Sequence, residues 1–405
     1  MAEAQHEVSD ARSTLIEAES LLRENRWEEL AALGQRLPSP PDKPWLPVVD
    51  AVAFALGQLR QWPVAVALLE HAYGLEPTWR RASSLAYLYY DASLALCAPR
   101  GPKPDADKEM LRQGFRRWIG EALRLRPDSI KDLYRLGVFE AQVESRHDKP
   151  ALRAFLHAIE LFRALPEAEQ RRRGDLRKAC SRALYAGGRS AMRLGQHGLA
   201  RKLSFACIRE DEGADHVDPV HKLHLAARVC TATGELEHAE RAARLALDAP
   251  GPPRRDYLFG LLSDIALRRS DPDAACGWIE RHVPEHRRQA PLWRKLGDAR
   301  TAKGDKPGAC KAWESALMKD RCGRHLTLVR LGRAYLEQGA LGKAEDAFRK
   351  AAQFRASRYV QEDRDALEGL KQVLALRGKN EEIARVEARL AKCGTRQAHD
   401  EEAVA

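Results

Sequence analysis

The stretch LGRAYLEQGALGKAEDAFRKAA, residues 331–352, divides at Gly339 into two short helical halves. Leu331, Gly332 and Tyr335 share one face of the first half. Ala344, Phe348 and Ala351 share one face of the second, at the three- and four-residue spacing of amphipathic helices. Gly339 stands where a helix must stop and turn back. Neither half carries an obvious catalytic group. One such pair cannot bury its apolar face alone, so the stretch predicts neighbours of its own kind.

Those neighbours are present. Upstream, Leu296, Gly297, Gly304, Ala309, Trp313 and Ala316 repeat the same order, with Gly297 35 residues before Gly332. Leu262, Ser263, Ala266, Ser270, Ala275 and Ile279 repeat it again, and Ala226, Ala227, Cys230, Gly234, Ala239 and Ala243 once more. Fainter copies run through Gly187, Gly188, Gly195 and Cys207, and through Leu136, Gly137, Phe155 and Ala158. Residues 80–127 read as a copy with a long turn, and 46–77 restore the regular length. On this register Ala344 and Ala351 set the close approach of helices, Cys207 and Cys230 fill core slots, and Glu345 faces solvent.

The order Trp293, Leu296, Gly297 in one copy and Leu331, Gly332, Tyr335 in the next resembles the tetratricopeptide repeat, a 34-residue helix–turn–helix unit. The resemblance covers roughly residues 44–390. It implies an all-α, right-handed alpha-solenoid of about eight or nine helix pairs, with a concave groove lined by the first helix of each pair. Punctuation suggests the organisation. Residues 1–43 read as an N-terminal helix pair with a Pro-rich linker, and 44–163 as a first lobe with a long turn at 98–108. Residues 164–393 read as a second lobe ending in a capping helix, and 394–405 as a disordered tail.

The formal net charge is +10, which favours acidic partners, whether protein, nucleic acid or lipid head groups. The N-terminal sequence lacks an apolar signal core, and no window nears the ~20 apolar residues of a membrane span. The eight cysteines contain no Cys-x-x-Cys pair and read as reduced thiols. A cytoplasmic protein is expected, and the abundance of Arg and Ala hints at a bacterial one.

Catalytic and metal chemistry finds little support. His282, Glu285 and His286 spell H-x-x-E-H, but Pro284 interrupts the helix that such a zinc site needs. His216, His221 and His224 cluster without a cysteine at ligand spacing, so they read as polar loop and groove residues. Phosphate-loop and nucleophile-elbow motifs are missing from the sequence. No enzyme activity, metal or other cofactor is expected.

The resemblance turns attention to the groove. Mapping its first-helix face onto this chain selects Tyr134, Arg182, Tyr185, Arg189, Arg193, His224 and Arg228, and further on Arg268, Arg294 and Arg333. Asp264 and Asp298 fall on the same face. Family members that clamp a terminal carboxylate or a peptide backbone use asparagines, yet none lies between Asn25 and Asn380. Recognition then falls to arginine forks on carboxylates or phosphates. The expected function is a non-enzymatic interaction scaffold or assembly adaptor holding an acidic segment of a partner protein. The alternative is a solenoid for single-stranded RNA, using Arg for phosphate and Tyr for base stacking.

Overall fold

In the computed structural model the described residues are 2–98, 103–104, 106–144, 147–251, 253–359 and 362–402, with side chains from residue 8 to 391 and at Cys393. Among them are twenty-one α-helices and no strand. An N-terminal pair, α1 (Ala2–Glu24) and α2 (Trp27–Ala32), comes first. Pairs follow in order: α3 (Leu46–Gln58) with α4 (Trp62–Leu75), α5 (Trp79–Cys97) with α6 (Lys108–Leu125), and α7 (Ile130–Gln142) with α8 (Asp148–Ala164). The short α9 (Glu167–Arg172) leads into α10 (Gly174–Arg193) and α11 (His197–Glu210). Beyond them come α12 (Pro219–Thr233) and α13 (Leu236–Asp248), then α14 (Asp256–Arg268) with α15 (Pro272–His282). The last pairs are α16 (Ala290–Lys303) with α17 (Lys306–Lys319), α18 (Arg324–Glu337) with α19 (Leu341–Tyr359), and α20 (Arg364–Leu376) with α21 (Asn380–Glu402). Part of the long turn expected at 98–108, and residues 403–405 of the expected tail, lie outside the described residues.

The chain divides into two compact units, Met1–Val229 and Cys230–Ala405, and α12 runs across the division. The boundary read from composition at 163–164 falls inside the first unit, where α8 and α10 pack directly on each other beside α9. A polar connection marks a detour of the chain there, with packing continuing past it.

Three of the pairs share one contact. A glycine on the leading helix lets an aromatic ring of the returning helix lie against the backbone. A Cβ on Gly137 would sit 2.5 Å from Phe155, one on Gly297 2.3 Å from Trp313, and one on Gly332 2.8 Å from Phe348. Any larger residue would push the helices apart, so these positions set the interhelix distance. The turn between helices is also repeated: Gly195, Gly304, Gly339 and Gly378 all have φ near +70 to +87. Arg60 and Ser270 hold the same left-handed conformation at φ 60 and 59, at the strain a side chain carries there. These are the features that the tetratricopeptide resemblance implied. Ala344 and Ala351 are fully buried, and Cys207 and Cys230 fill core slots, as the register requires.

Glu345 departs from that register. It was expected in solvent, yet it is 2% exposed. Arg377, Lys379 and Arg349 all donate to its carboxylate, Lys379 at 2.9 Å. Burial pushes its pKa up, but the three cations outweigh that and hold it below the ordinary value. The residue ties α19 to the turn between α20 and α21.

No helix among the described residues is long and apolar enough to cross a membrane.

Candidate partner-binding face

In the first unit the leading helices α5, α7 and α10 bring a row of tyrosines onto one face, which α12 extends with His221. Tyr87 and Tyr90 of α5 lie 6.4 Å apart, ring to ring. Tyr134 of α7 packs against Phe155 at 6.2 Å, and Tyr185 of α10 faces His221 of α12 at 6.4 Å. Burial raises the pKa of all four phenols, so they remain neutral at physiological pH. Arginines sit close enough to oppose that shift: Arg182 acts on Tyr90 and Tyr134, and Arg189 and Arg228 on Tyr185.

The cations of this face divide into two kinds. Arg135 of α7 lies over the Tyr87 ring at 4.9 Å and donates to Asp132, 2.8 Å away. Lys131 reaches Asp175 of α10 at 2.7 Å. Arg193, placed in the groove by sequence, is taken up by Asp148 at the start of α8, both of whose oxygens lie 2.8 Å from its Nε. Its role is to join α10 to α8. By contrast Arg182, Arg189 and Arg228 are exposed and have no carboxylate partner among the described residues. The Nε of Arg182 lies 3.5 Å from the His216 carbonyl oxygen, the outer limit of a hydrogen bond. Arg189 spreads over the Tyr185 ring at 5.8 Å. His224 is half-buried on α12.

The second unit treats its charges differently. Lys295 of α16 pairs with Asp264 of α14. Arg330 of α18 forks onto Asp298 of α16 at 2.7 and 3.1 Å. Arg333 of α18 reaches Asp365 of α20 at 3.1 Å. Arg294 is largely buried against Asp320. Of the arginines selected there from sequence, Arg268 alone is exposed without a carboxylate partner among the described residues. The partners Lys295, Arg330 and Asp365 escaped the sequence reading. A signal for them exists: each lies 31 or 32 residues from its opposite charge, one repeat along.

The histidine motifs serve packing and turns. His282 ends α15 and stacks on Phe259 at 4.8 Å, while Glu285 and His286 lie on a separate 3-10 turn. His216 lies in the turn before α12, where its backbone N–H donates to the buried Asp211. Burial pushes the thiols of Cys180 and Cys207 up to about 12, which makes them inert.

No protein-family profile matches the chain, and no curated protein matches it. Solved structures do. A tetratricopeptide repeat protein from Parabacteroides merdae is 15% identical, with a TM-score of 0.46 over 67% of this chain and 92% of that one. Pseudomonas aeruginosa pilF is 15% identical, with a TM-score of 0.41 over 57% of this chain and 88% of that one. The C-terminal part of a TPR repeat-containing protein from Cytophaga hutchinsonii is 13% identical, with a TM-score of 0.42 over 64% and 95%.

Proposed function

We propose that this chain is a non-enzymatic interaction scaffold, cytoplasmic, whose first unit holds an acidic segment of a partner protein on the face of α7, α10 and α12. The observation that carries this reading is the set of three exposed arginines, Arg182, Arg189 and Arg228, without carboxylate partners among the described residues, on a floor of neutral tyrosines. A guanidinium fork suits a carboxylate, and the apolar rings beneath lower the competition from water. The RNA alternative needs open tyrosine faces for base stacking. Tyr90, Tyr134 and Tyr185 are no more than half-exposed, and Arg189 already covers Tyr185, which favours the protein reading.

The test is a titration of the full chain with a fluorescent oligoglutamate peptide and, separately, with oligo(U), each across a salt series. Saturable peptide binding that weakens with salt, and that is about fivefold weaker in Arg182→Gln/Arg189→Gln, is expected. Tighter oligo(U) binding, with a log–log salt slope of several phosphates, would replace the proposal by the RNA reading.

A further inference from the structure

Beside the arginine row, the first unit has a cavity of about 150 Å³ between α3, α4, α5 and α7. Its floor is apolar and buried: Ala53, Leu69 and Leu88. Its walls are two rings, Phe54 and Tyr87, and Phe54 is 43% exposed, the most exposed aromatic on this face. The mouth carries Ser84, exposed, and Arg135. Asp50 stands at the rim, held by the Arg81 guanidinium at 3.0 and 3.1 Å. A cavity of this size, with an apolar floor and two ring walls below a polar mouth that also includes Ser83, takes one benzene-sized group.

We infer that this cavity is an anchor site for one phenylalanine or leucine side chain of the same partner segment. The inference rests on the acidic-segment reading above and adds the residue that would carry most of the affinity. Exposed ion pairs contribute little each, whereas a ring buried in a preformed pocket behaves as an interface hot spot. The cavity is continuous with the basic face: Tyr87 adjoins Tyr90, and Tyr90 is within electrostatic reach of both Arg135 and Arg182. Asp50 repels a carboxylate placed beside the anchor on the α3 side, so the acidic residues extend toward α10 and α12. Neighbouring helices stand ~8–10 Å apart. An extended chain advances ~3.3 Å per residue. From α5 the basic face lies two leading helices on at α10 and three at α12, so acidic residues about six and nine positions from the anchor meet Arg182 or Arg189, and then Arg228.

Three short fluorescent peptides test this against the full chain: one with Phe and with Glu at the sixth and ninth positions beyond it, a Phe→Ala version, and a Glu→Gln version. Phe→Ala should weaken binding by more than ~tenfold, the worth of a buried ring. Ser84→Trp, which closes the mouth from an exposed position, should weaken the Phe peptide alike and leave the Ala peptide unchanged. Phe54→Ala, which removes a wall, should act in the same direction. Equal binding of the Phe and Ala peptides, both weakened by Glu→Gln, would overturn the anchor and leave the basic face standing. Loss on Phe→Ala with no loss on Glu→Gln would keep the anchor and overturn the acidic-segment reading. No saturation by any peptide up to ~1 mM would overturn both.

Discussion

The leading helices of the two units are built on one repeat, yet they dispose of their charges in opposite ways. In the second unit almost every cation on that face meets an acid from the neighbouring pair, as in Lys295 with Asp264, Arg330 with Asp298 and Arg333 with Asp365. In the first unit Arg182, Arg189 and Arg228 meet none among the described residues, and tyrosines lie beside them. Identical backbone architecture thus supports a self-neutralised surface and an open, cationic one. What separates them is the identity of the residue one repeat away, so function in such a stack is decided by pairs of positions.

Several substitutions put this contrast under strain. The largest effect belongs to Glu345→Gln in the second unit, because it removes the acid that neutralises Arg377, Lys379 and Arg349. The cations are partly exposed and regain water, so the loss should be about 2–3 kcal/mol rather than that of a fully buried pair. Urea unfolding checks it, and a loss within experimental error would mean that the neutralised unit does not depend on its pairing. The pH dependence has a definite sign. The folded pKa of Glu345 lies below the ordinary value, so the wild-type stabilisation is complete above about pH 5 and fades as pH falls below ~4.3. The Gln variant should lack that acid limb.

The next largest effect lies inside the first unit. Arg193→Gln strips the partner from buried Asp148 and should cost ~1–3 kcal/mol. Arg189→Gln, one turn earlier, should stay within ~0.5 kcal/mol. Equal melting shifts for the two would erase the distinction between committed and spare arginines. The smallest change in stability is expected from Asp298→Asn, ~0–1 kcal/mol for a half-exposed pair. This variant frees Arg330 and should make the second unit bind an oligoglutamate peptide that the wild-type unit ignores. A peptide titration that shows no gain would mean that unpaired charge is not what creates a binding face.

Much of the fold was legible because in the clearest pairs a glycine and an aromatic ring meet at regular places. Residues 293–316 and 331–352 show both partners in their regular places. The α5–α6 pair blurred the pattern by exchanging sides: the ring is Tyr89 on the leading helix, and the glycine is Gly114 on the returning one, where a Cβ would sit 2.2 Å from Tyr89. Glu345 was misread because a charged residue beside the Ala344–Phe348 stripe looks solvated until its partners are known. Two of those partners lie 32 and 34 residues further on. The candidate face shows the same division. Which helix face carries Tyr134, Tyr185, Arg182, Arg189 and Arg228 follows from the register within one helix. Whether an arginine is spare or committed, as with Arg193 and Asp148, depends on a residue 45 positions away in the chain.

The most direct measurement compares two triple variants of the full chain, each removing three positive charges from the leading helices of one unit. One is Arg182→Gln/Arg189→Gln/Arg228→Gln, and the other is Lys295→Gln/Arg330→Gln/Arg333→Gln. Both are titrated with the same fluorescent oligoglutamate peptide at physiological salt. The first should lose more than ~tenfold in affinity, as three rim contacts of about 0.5 kcal/mol each imply. The second should stay within about twofold of wild type, since its charges are already spent on Asp264, Asp298 and Asp365. Equal losses in the two variants would contradict the assignment of the open face to the first unit.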